Sequence, residues 1–447
     1  MTDPAQNMPA YLANLVAEGC RHLPIYRELV ADFETPLSCY AKVARGPYSY
    51  LLESANQGGE KWSRFSIIGL PARRILRMRG DRLTLTENGA LVRDELIEDP
   101  LAEIAQLQEA YSYPSCPGMP NYTGGLVGYF GYDTVRYVEP KIKDTAPPDE
   151  LGSADIVLMV SDDVIVFDNV KGRMHLVTHV SDLSPDQMNQ AALRLDAMQG
   201  CLKGALPDEF VAPKISPKLE EHDFVSSYGE DQFKTDVAHL KEYIAAGDVM
   251  QVILSQRLSC SFEAAPLNLY RALRTLNPSP YMYFMDLETV QIVSSSPEIL
   301  ARLEHGEVTV RPLAGTRRRG RSPEEDLEME RELRADPKEQ AEHLMLIDLG
   351  RNDIGRVCET GTVEVSEMMT IERYAHVMHL ASNVCGRLKP NLTAIDVLKA
   401  TLPVGTLSGA PKVRAMELID AFEPVKRGIF GGAVGYLSWQ GQMDTAI

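Results

Sequence analysis

The sequence is poor in basic charge and has no long apolar run. Its 447 residues carry 45 lysine and arginine side chains against 63 aspartate and glutamate side chains, a formal net charge of −18. A protein that binds nucleic acid usually presents a basic face, so this balance argues against nucleic acid as a partner. Purely apolar runs, such as residues 156–160, are no longer than a strand. We therefore expect no membrane-spanning helix and no membrane association.

Cysteines are few and scattered. The seven cysteines are an odd number and form no CxxC pair, which is typical of reduced thiols in a cytosolic protein. The segment MTDPAQNMPAYLANLVAEG has neither the basic nor the apolar region of a secretory signal. These features predict a soluble, cytoplasmic protein.

Strand-like alternation dominates the first half of the chain. Residues 48–92 and 154–180 alternate polar and apolar side chains between turn formers, which predicts antiparallel strands. The glycines of YTGGLVGYFGYD predict strands that other backbone approaches closely. After a predicted helix at 184–204, residues 205–225 are rich in proline and charge and are predicted to form a linker. The sequence therefore predicts a β-rich domain over 1–212 and a second domain over 226–447.

The second half mixes helices and strands. The periodicity predicts helices at 232–246, 266–276, 323–350, 394–401 and 412–422, and strands at 249–262, 281–287 and 290–296. Because the two kinds of element do not alternate as βαβ units, the predicted class is α+β. A final hairpin, 433–447, stops within its second arm at Ile447. A frayed natural terminus would look the same, but the pattern favours a truncated chain.

The densest polar motif is RADPKEQAEHLMLIDLGRND. Asp336 suits a helix N-cap, Pro337 the first helical position and Glu339 the third, which closes a capping box. Glu339 and Glu342 lie on one helix face, where two carboxylates can hold Mg²⁺. First-turn glutamates also complement the helix dipole, and spacing alone favours that plainer interpretation.

Two further segments are candidate anion sites. The arginines of RPLAGTRRRGR can contact an anion, but the acidic run that follows makes a mutually paired, solvated loop the better interpretation. The small residues of TLPVGTLSGAPK lead into a helix near Lys412, where a carboxylate or phosphate can bind. A plain helix cap is about equally compatible, and the missing GK[ST] ending argues against a nucleoside triphosphate.

In combination, these motifs resemble the chorismate-utilising enzyme family. SPE, RPLAGTRRRG, KEQAEHLMLIDLGRNDIGRV, TLPVGTLSGAPKVRAM and RGIFGGAVGY occur in family order over about 225–447. LLES and NPSPYMYF resemble the tryptophan feedback site of anthranilate synthase large subunits. The resemblance implies an α+β fold in which large antiparallel sheets, flanked by helices, enclose the active site.

The implied reaction is the Mg²⁺-dependent conversion of chorismate and ammonia to anthranilate and pyruvate, the first step of tryptophan synthesis. By resemblance, Glu298 protonates the departing ring hydroxyl, Glu339 and Glu342 bind Mg²⁺, and His379 acts in the elimination of pyruvate. Thr406, with the backbone of Gly405, would hold a substrate carboxylate. The substrate-binding positions implied are Gln251, Ala314, Gly315, Thr316, Gly405 and Phe430.

At three positions this chain differs from related enzymes of the same family. Water-using relatives carry a lysine base where this chain has Gln251, so ammonia is the expected nucleophile. One common type of aminodeoxychorismate synthase carries a lysine nucleophile where this chain has Ala314. Many family members have tyrosine at Phe430. Aminodeoxychorismate synthase component I remains one alternative, and a non-catalytic, tryptophan-binding regulatory subunit is another.

The resemblance also implies feedback regulation by tryptophan, a partner subunit, and catalytic motifs that the 447 residues do not contain. The implied tryptophan pocket, which must satisfy an ammonium, a carboxylate and an indole, consists of Glu53, Ser54, Pro280, Met282, Tyr283, Val434 and Tyr436. LLES could equally be an ordinary strand. No glutaminase motif is found, so a separate glutamine amidotransferase subunit, component II, would supply ammonia. Because the family continues past DTAI into an arginine, a GAG-type loop and a further Mg²⁺ glutamate, we expect little activity from the 447 residues.

Overall fold

The computed structural model describes residues 10–44, 46–54, 64–116, 118–211 and 218–447. The helices are α1 Ala10–Ala17, α2 Pro36–Val43, α3 Pro100–Ala110, α4 Pro185–Leu202, α5 Asp208–Val211, α6 Glu230–Ala246, α7 Pro266–Leu276, α8 Pro323–Ala335, α9 Pro337–Gly355, α10 Ala394–Thr401 and α11 Lys412–Phe422. In the described chain, no helix is both long enough and apolar enough to cross a membrane.

The strands fall in two groups along the chain. The first ten are β1 Leu23–Val30, β2 Ser49–Glu53, β3 Phe65–Gly69, β4 Arg74–Arg79, β5 Arg82–Glu87, β6 Ala90–Leu96, β7 Gly125–Phe130, β8 Ile156–Ser161, β9 Val164–Asp168 and β10 Arg173–Val180. The others are β11 Val225–Ser226, β12 Gln251–Val252, β13 Leu258–Ser259, β14 Tyr281–Asp286, β15 Gln291–Ser296, β16 Ile299–Glu304, β17 Glu307–Val310, β18 Leu313–Arg318, β19 Glu364–Arg373, β20 Val377–Arg387, β21 Gly409–Ala410, β22 Ala433–Ser438 and β23 Met443–Ala446.

Two large antiparallel sheets dominate the molecule. A seven-stranded sheet has the order β1-β10-β9-β3-β2-β14-β15, and a twelve-stranded sheet has the order β18-β20-β17-β16-β23-β22-β7-β8-β4-β5-β6, with β19 pairing to β20. The α+β prediction is confirmed. Both sheets draw strands from both sides of the predicted 1–212 and 226–447 boundary, which itself stays a prediction. Residues 212–217 of the predicted linker lie outside the described residues.

The two sheets face each other across a shared core. Tyr50 and Val166 of the seven-stranded sheet belong to the same buried cluster as Val127 and Val157 of the twelve-stranded sheet. The close backbone approach predicted from the glycine-rich segment is present at Gly128, where a Cβ would lie 1.9 Å from the carbonyl oxygen of Val157. Only glycine fits there, because the obstacle is backbone.

The helical tracts predicted over 323–350 are the two helices α8 and α9. The predicted N-cap is confirmed, because the Asp336 side chain caps α9 by accepting from the backbone N–H of Lys338 and Glu339. The second half differs from the sequence prediction in one place. The strand predicted at 249–262 is wrong. That segment forms only the short strands β12 and β13, and β12 pairs with β21, the short strand that precedes α11. Elsewhere, the predicted helices at 266–276, 394–401 and 412–422 are confirmed.

Candidate functional site

A cavity of about 880 Å³, here called cavity A, opens between the edge of the twelve-stranded sheet and α9. Its wall includes every predicted catalytic, metal and substrate residue except Gly405: Gln251, Glu298, Ala314, Gly315, Thr316, Glu339, Glu342, His379, Thr406 and Phe430. Gly405 lies just behind the wall, where a Cβ would come within 2.0 Å of Leu349 Cδ2. Segments far apart in the chain therefore converge on one space.

Glu298 is a buried carboxylic acid at the start of β16. The Thr406 hydroxyl donates to its Oε2 at 3.0 Å, and the Leu313 backbone N–H approaches Oε1 at 3.4 Å. Burial raises the pKa of Glu298 to about 8, against the opposing effects of these two donors and of the positive charge on Arg311. Glu298 therefore carries a proton at neutral pH and can donate it.

His379 lies on β20 opposite Thr316 of β18. Its Nδ1 is 3.1 Å from the carbonyl oxygen of Gly315 and 3.0 Å from the Thr316 hydroxyl. Because the carbonyl can only accept, this contact indicates that Nδ1 carries the proton and Nε2 the lone pair. Burial lowers the pKa of His379, so the ring is a neutral base at pH 7. His376, by contrast, lies outside the wall of cavity A, with Nε2 3.1 Å from the Leu276 carbonyl oxygen.

Glu339 and Glu342 lie in the first turns of α9, on the same helix face as their spacing predicts, and both line cavity A. Lys338 Nζ lies 3.3 Å from Glu339 Oε1 and 3.6 Å from Glu342 Oε2, so one cation faces both carboxylates and balances only one of their two negative charges. Two hard oxygen donors facing a cavity suit Mg²⁺, which usually takes few protein carboxylates and completes its octahedron with water and substrate. The residues present therefore fit this ion. The sequence analysis did not single out Lys338, although the KEQAEH motif contains it.

Gln251 contacts Glu342, one of the two candidate Mg²⁺ ligands in cavity A. Its Nε2 donates to Glu342 Oε1 at 3.0 Å, and since a carboxylate can only accept, the orientation of the amide is fixed. The amide oxygen is buried and has no hydrogen-bond partner among the described residues. Gln251 thus offers cavity A an unused acceptor.

The other candidate anion sites form internal pairs. Arg317 donates to Asp336 at 2.6 Å and Arg319 to Asp326 at 2.8 Å, which confirms the predicted pairing of these arginines with nearby acidic residues. The predicted loop is wrong over 313–318, where the segment forms β18 and pairs with β20. Lys412 is buried and donates to Asp353 Oδ2 at 2.6 Å. Its charge is therefore satisfied inside the protein.

A second cavity of about 340 Å³, cavity B, lies between the two sheets. All of the predicted tryptophan-site residues line it: Glu53, Ser54, Pro280, Met282, Tyr283, Val434 and Tyr436. The Ser54 hydroxyl oxygen is buried and has no partner within the described ranges. It is therefore available to a ligand.

The Glu53 carboxylate is already engaged. It accepts from the Tyr270 hydroxyl at 2.6 Å and from Arg274 Nε at 3.0 Å. The wall of cavity B also contains Asp444, which accepts from the Tyr281 hydroxyl at 3.0 Å and from Arg302 Nη2 at 2.7 Å. The sequence analysis missed this group, although an aspartate inside the otherwise uncharged arm MDTAI was a usable signal.

The two cavities share a wall. Tyr283 and Val434 line both of them. The Tyr283 hydroxyl donates to the Ile447 carbonyl oxygen at 3.2 Å, and the Ile447 N–H donates to the Glu298 carbonyl oxygen at 3.2 Å. A ligand in cavity B would therefore be one residue layer from the acid of cavity A.

Comparisons with known proteins agree with this geometry. Residues 48–447 match the family model described as chorismate binding enzyme. Anthranilate synthase component 1 of Pseudomonas putida is 52% identical over 97% of this chain and 88% of its own length. The corresponding protein of Aquifex aeolicus is 45% identical over 97% and 87%.

Solved structures place the fold in the same group. The crystal structure of anthranilate synthase component I from Streptococcus pneumoniae TIGR4 aligns with a TM-score of 0.76 at 35% identity, over 94% of this chain and 89% of that one. The isochorismate synthase MenF from Escherichia coli shares the fold, with a TM-score of 0.67 at 16% identity over 98% and 89%. The chain therefore belongs to the chorismate-binding enzyme family and, within it, to the anthranilate synthase component 1 proteins.

Proposed function

We propose that cavity A binds chorismate and that the chain, as component 1 of an anthranilate synthase, converts chorismate and ammonia to anthranilate and pyruvate. The observation that carries the proposal is Glu298, a carboxylic acid with a pKa of about 8 in one cavity with a neutral histidine and two carboxylates. The reaction needs an acid, a base and a binding site for an anionic ring. Cavity A supplies each from a different element.

Glu298 acts first, as the general acid. Nitrogen addition to the chorismate ring expels a hydroxyl, which is a poor leaving group unless it is protonated. The Thr406 hydroxyl fixes the orientation of the Glu298 carboxyl group. A positioned acid of this kind contributes on the order of 10²–10⁴-fold to the rate.

Gln251 favours ammonia over water. An amide is not basic enough to deprotonate water, whereas ammonia attacks as a neutral nucleophile and needs only to be oriented. The unpartnered Gln251 amide oxygen can accept one ammonia N–H, and this contact leaves the nitrogen lone pair free to attack the ring. Glu342 keeps the amide in the required orientation.

Glu339 and Glu342 would hold Mg²⁺. When bound, the ion would offset the negative charge of a chorismate carboxylate and withdraw electron density from the ring. Lys338 must swing away, which its largely exposed side chain permits. The site is acidic before the ion binds, so the two glutamates favour substrate binding only together with the cation.

His379 would act in the second step. Its Nε2 lone pair, set by the Nδ1 contact with Gly315, can remove the ring proton at the carbon that bears the new nitrogen. Loss of that proton with pyruvate gives the aromatic product. The lowered pKa of His379 keeps it in the base form at neutral pH.

Cavity B would bind tryptophan as a feedback inhibitor. Its apolar wall suits an indole, and the Ser54 hydroxyl is unpartnered in the described structure and can meet a polar group of the amino acid. Because relatives are named component 1, and the sequence shows no glutaminase motif, a glutamine amidotransferase subunit is the proposed source of ammonia.

The test has two readouts, so that recognition and chemistry are measured separately. Calorimetry should show chorismate binding that is strengthened by Mg²⁺, and fluorescence should detect anthranilate from chorismate and ammonium, at a rate that also tests the low activity expected from the sequence motifs. Accumulation of non-aromatic 4-amino-4-deoxychorismate would instead indicate aminodeoxychorismate synthase. Tryptophan binding without Mg²⁺-dependent chorismate binding would contradict the enzymatic proposal and indicate a regulatory subunit.

A further inference from the structure

A buried guanidinium lies behind cavity A. The Arg427 side chain is 2% exposed and its partner Glu423 is 3% exposed. Arg427 Nε and Nη2 donate to the two Glu423 carboxylate oxygens at 2.9 and 2.6 Å. The Arg427 guanidinium also lies over the Tyr132 ring, 4.7 Å from its centroid. Burying such a pair is costly unless further hydrogen bonds satisfy it.

Those further bonds go to two separate segments of the cavity wall. Arg427 Nη2 donates to the Ile253 carbonyl oxygen at 2.7 Å, and Nη1 donates to the Leu407 carbonyl oxygen. Both of these residues line cavity A. A planar fork of five donors can span a carboxylate and two carbonyls, whereas a lysine ammonium is a single point.

Each segment carries a residue of the proposed chemistry. Ile253 is two residues after Gln251, whose amide donates to Glu342. Leu407 directly follows Thr406, whose hydroxyl donates to Glu298. Ser255, in the same segment as Ile253, donates to Glu423 from both its N–H and its hydroxyl at 2.8 Å. The Arg427–Glu423 ion pair therefore connects the segment that carries Gln251 to the segment that carries Thr406.

We propose that Arg427 is a positioning residue that sets the placement of the Thr406–Glu298 pair relative to Gln251 and Glu342. The inference rests on the proposed function, because the reaction whose rate would depend on this placement is anthranilate formation in cavity A. A displacement of about 1 Å in an active site can cost on the order of 100-fold in rate. A residue that touches no substrate can therefore still limit turnover.

The decisive variant is Arg427→Lys, which keeps the charge but cannot bridge both carbonyls. Its matched control is Arg136→Lys. Arg136 is 9% exposed, pairs with Asp133 at 2.6 Å and Asp420 at 2.7 Å and donates to the Ile142 carbonyl. None of its partners lines cavity A. The two substitutions thus remove comparable buried contacts in different places.

The first readout is the pKa of Glu298, obtained from the pH dependence of unfolding with and without Glu298→Gln in each background. Arg427→Lys should raise this pKa by about one pH unit, because a displaced Thr406 no longer favours the ionised form. Arg136→Lys should leave it unchanged. This readout requires no turnover and so remains informative if the proposed function fails.

The second readout is anthranilate formation. Arg427→Lys should lower kcat about 10- to 100-fold while KM changes less than about threefold. Equal behaviour of Arg427→Lys and Arg136→Lys in both readouts would show a merely structural ion pair and overturn the proposal. If Arg427→Lys does not fold, Ser255→Ala, which removes one hydroxyl donor to Glu423, should give a smaller pKa shift of the same sign. No shift in that variant would also count against it.

Discussion

The Thr406 hydroxyl donates to Oε2 of Glu298 at 3.0 Å across the wall of cavity A. These residues are far apart in the chain and meet because the turn before β21 reaches the start of β16. The bond favours the ionised carboxylate, yet burial outweighs it and holds the pKa of Glu298 at about 8. Thr406 thus lowers the pKa of Glu298 and orients its carboxyl group. This role is additional to the contact with a substrate carboxylate that the family resemblance implies.

Thr406→Val should separate the effect of the Thr406 hydrogen bond on Glu298 from the effect of the side-chain shape. The variant keeps the side-chain volume and removes the donor, so the pKa of Glu298 should rise and kcat/KM should fall on the order of tenfold, as expected for loss of one hydrogen bond to a carboxyl group. The measurement is a pH profile of anthranilate formation. Thr401→Val is the control, since the Thr401 hydroxyl donates to the Val397 carbonyl inside α10. An unaltered profile for Thr406→Val would contradict the proposed tuning.

Glu298→Gln should stabilise the protein at neutral and alkaline pH. The folded-state pKa of about 8 lies above the ordinary glutamate value of 4.5, so Glu298 contributes stability below pH 4.5 that is lost as the pH rises through 8. The loss is about 1.4 kcal/mol per pH unit within that window, or about 3 kcal/mol by pH 7. Denaturant unfolding at several pH values measures it. A parallel pH dependence of variant and parent would show that Glu298 ionises normally.

Short-range signals gave the sequence analysis its successes. Pro266 and Pro337 mark helix starts, and Glu339 and Glu342 share a helix face whatever the rest of the fold does. That the motifs of the chorismate-utilising family converge on one cavity could be predicted only from the family resemblance. No local sequence pattern shows that β18 and β20 bring Thr316 and His379 together.

Tertiary contacts account for the misses. Residues 249–262 have strand-like composition, but only Gln251 and Val252 find a ladder partner in β21, while Ser255 donates to Glu423 instead. Glu53 is one of the residues of the predicted tryptophan pocket, and its pairing with Arg274 comes from a helix more than two hundred residues later. Neither contact has a signature within a sequence window.

Asp162 should support stability down to acid pH. Despite burial, the nearby side chains of His22, His179 and Arg74 lower the pKa of Asp162 to about 2, below the ordinary aspartate value of 3.8. This contribution is present above pH 3.8 and is lost as the pH falls through 2. Asp162→Asn should therefore cost about 2 kcal/mol at pH 7 and less near pH 2. Asp94→Asn, in an exposed pair with Arg82, should cost less. A pH-independent effect of Asp162→Asn would contradict the linkage.

Lys338→Ala should tighten Mg²⁺ binding. In this structure Lys338 Nζ forms ion pairs with both Glu339 and Glu342, so Mg²⁺ must displace it. Because exposed ion pairs contribute about 0.2–1 kcal/mol, the gain in affinity should be about two- to fivefold. Titration calorimetry with MgCl₂ measures it without substrate. Lys234→Ala, which removes an exposed partner of Glu230, is the control. Weaker Mg²⁺ binding by Lys338→Ala would show that the lysine supports the site instead of competing for it.

Ser54→Phe should weaken tryptophan binding. The Ser54 hydroxyl oxygen is buried at the wall of cavity B with no partner among the described residues, and a phenyl ring would fill part of the cavity of roughly 340 Å³ in which the indole is proposed to bind. We expect affinity for tryptophan to fall more than about tenfold, since both a polar contact and space are lost. Calorimetry with tryptophan gives the result, and chorismate binding measured on the same sample reports whether the variant is folded. Ser54→Ala separates the two causes, because it removes only the hydroxyl and should cost less than Ser54→Phe. Parent-like tryptophan affinity in Ser54→Phe would show that tryptophan does not bind in cavity B.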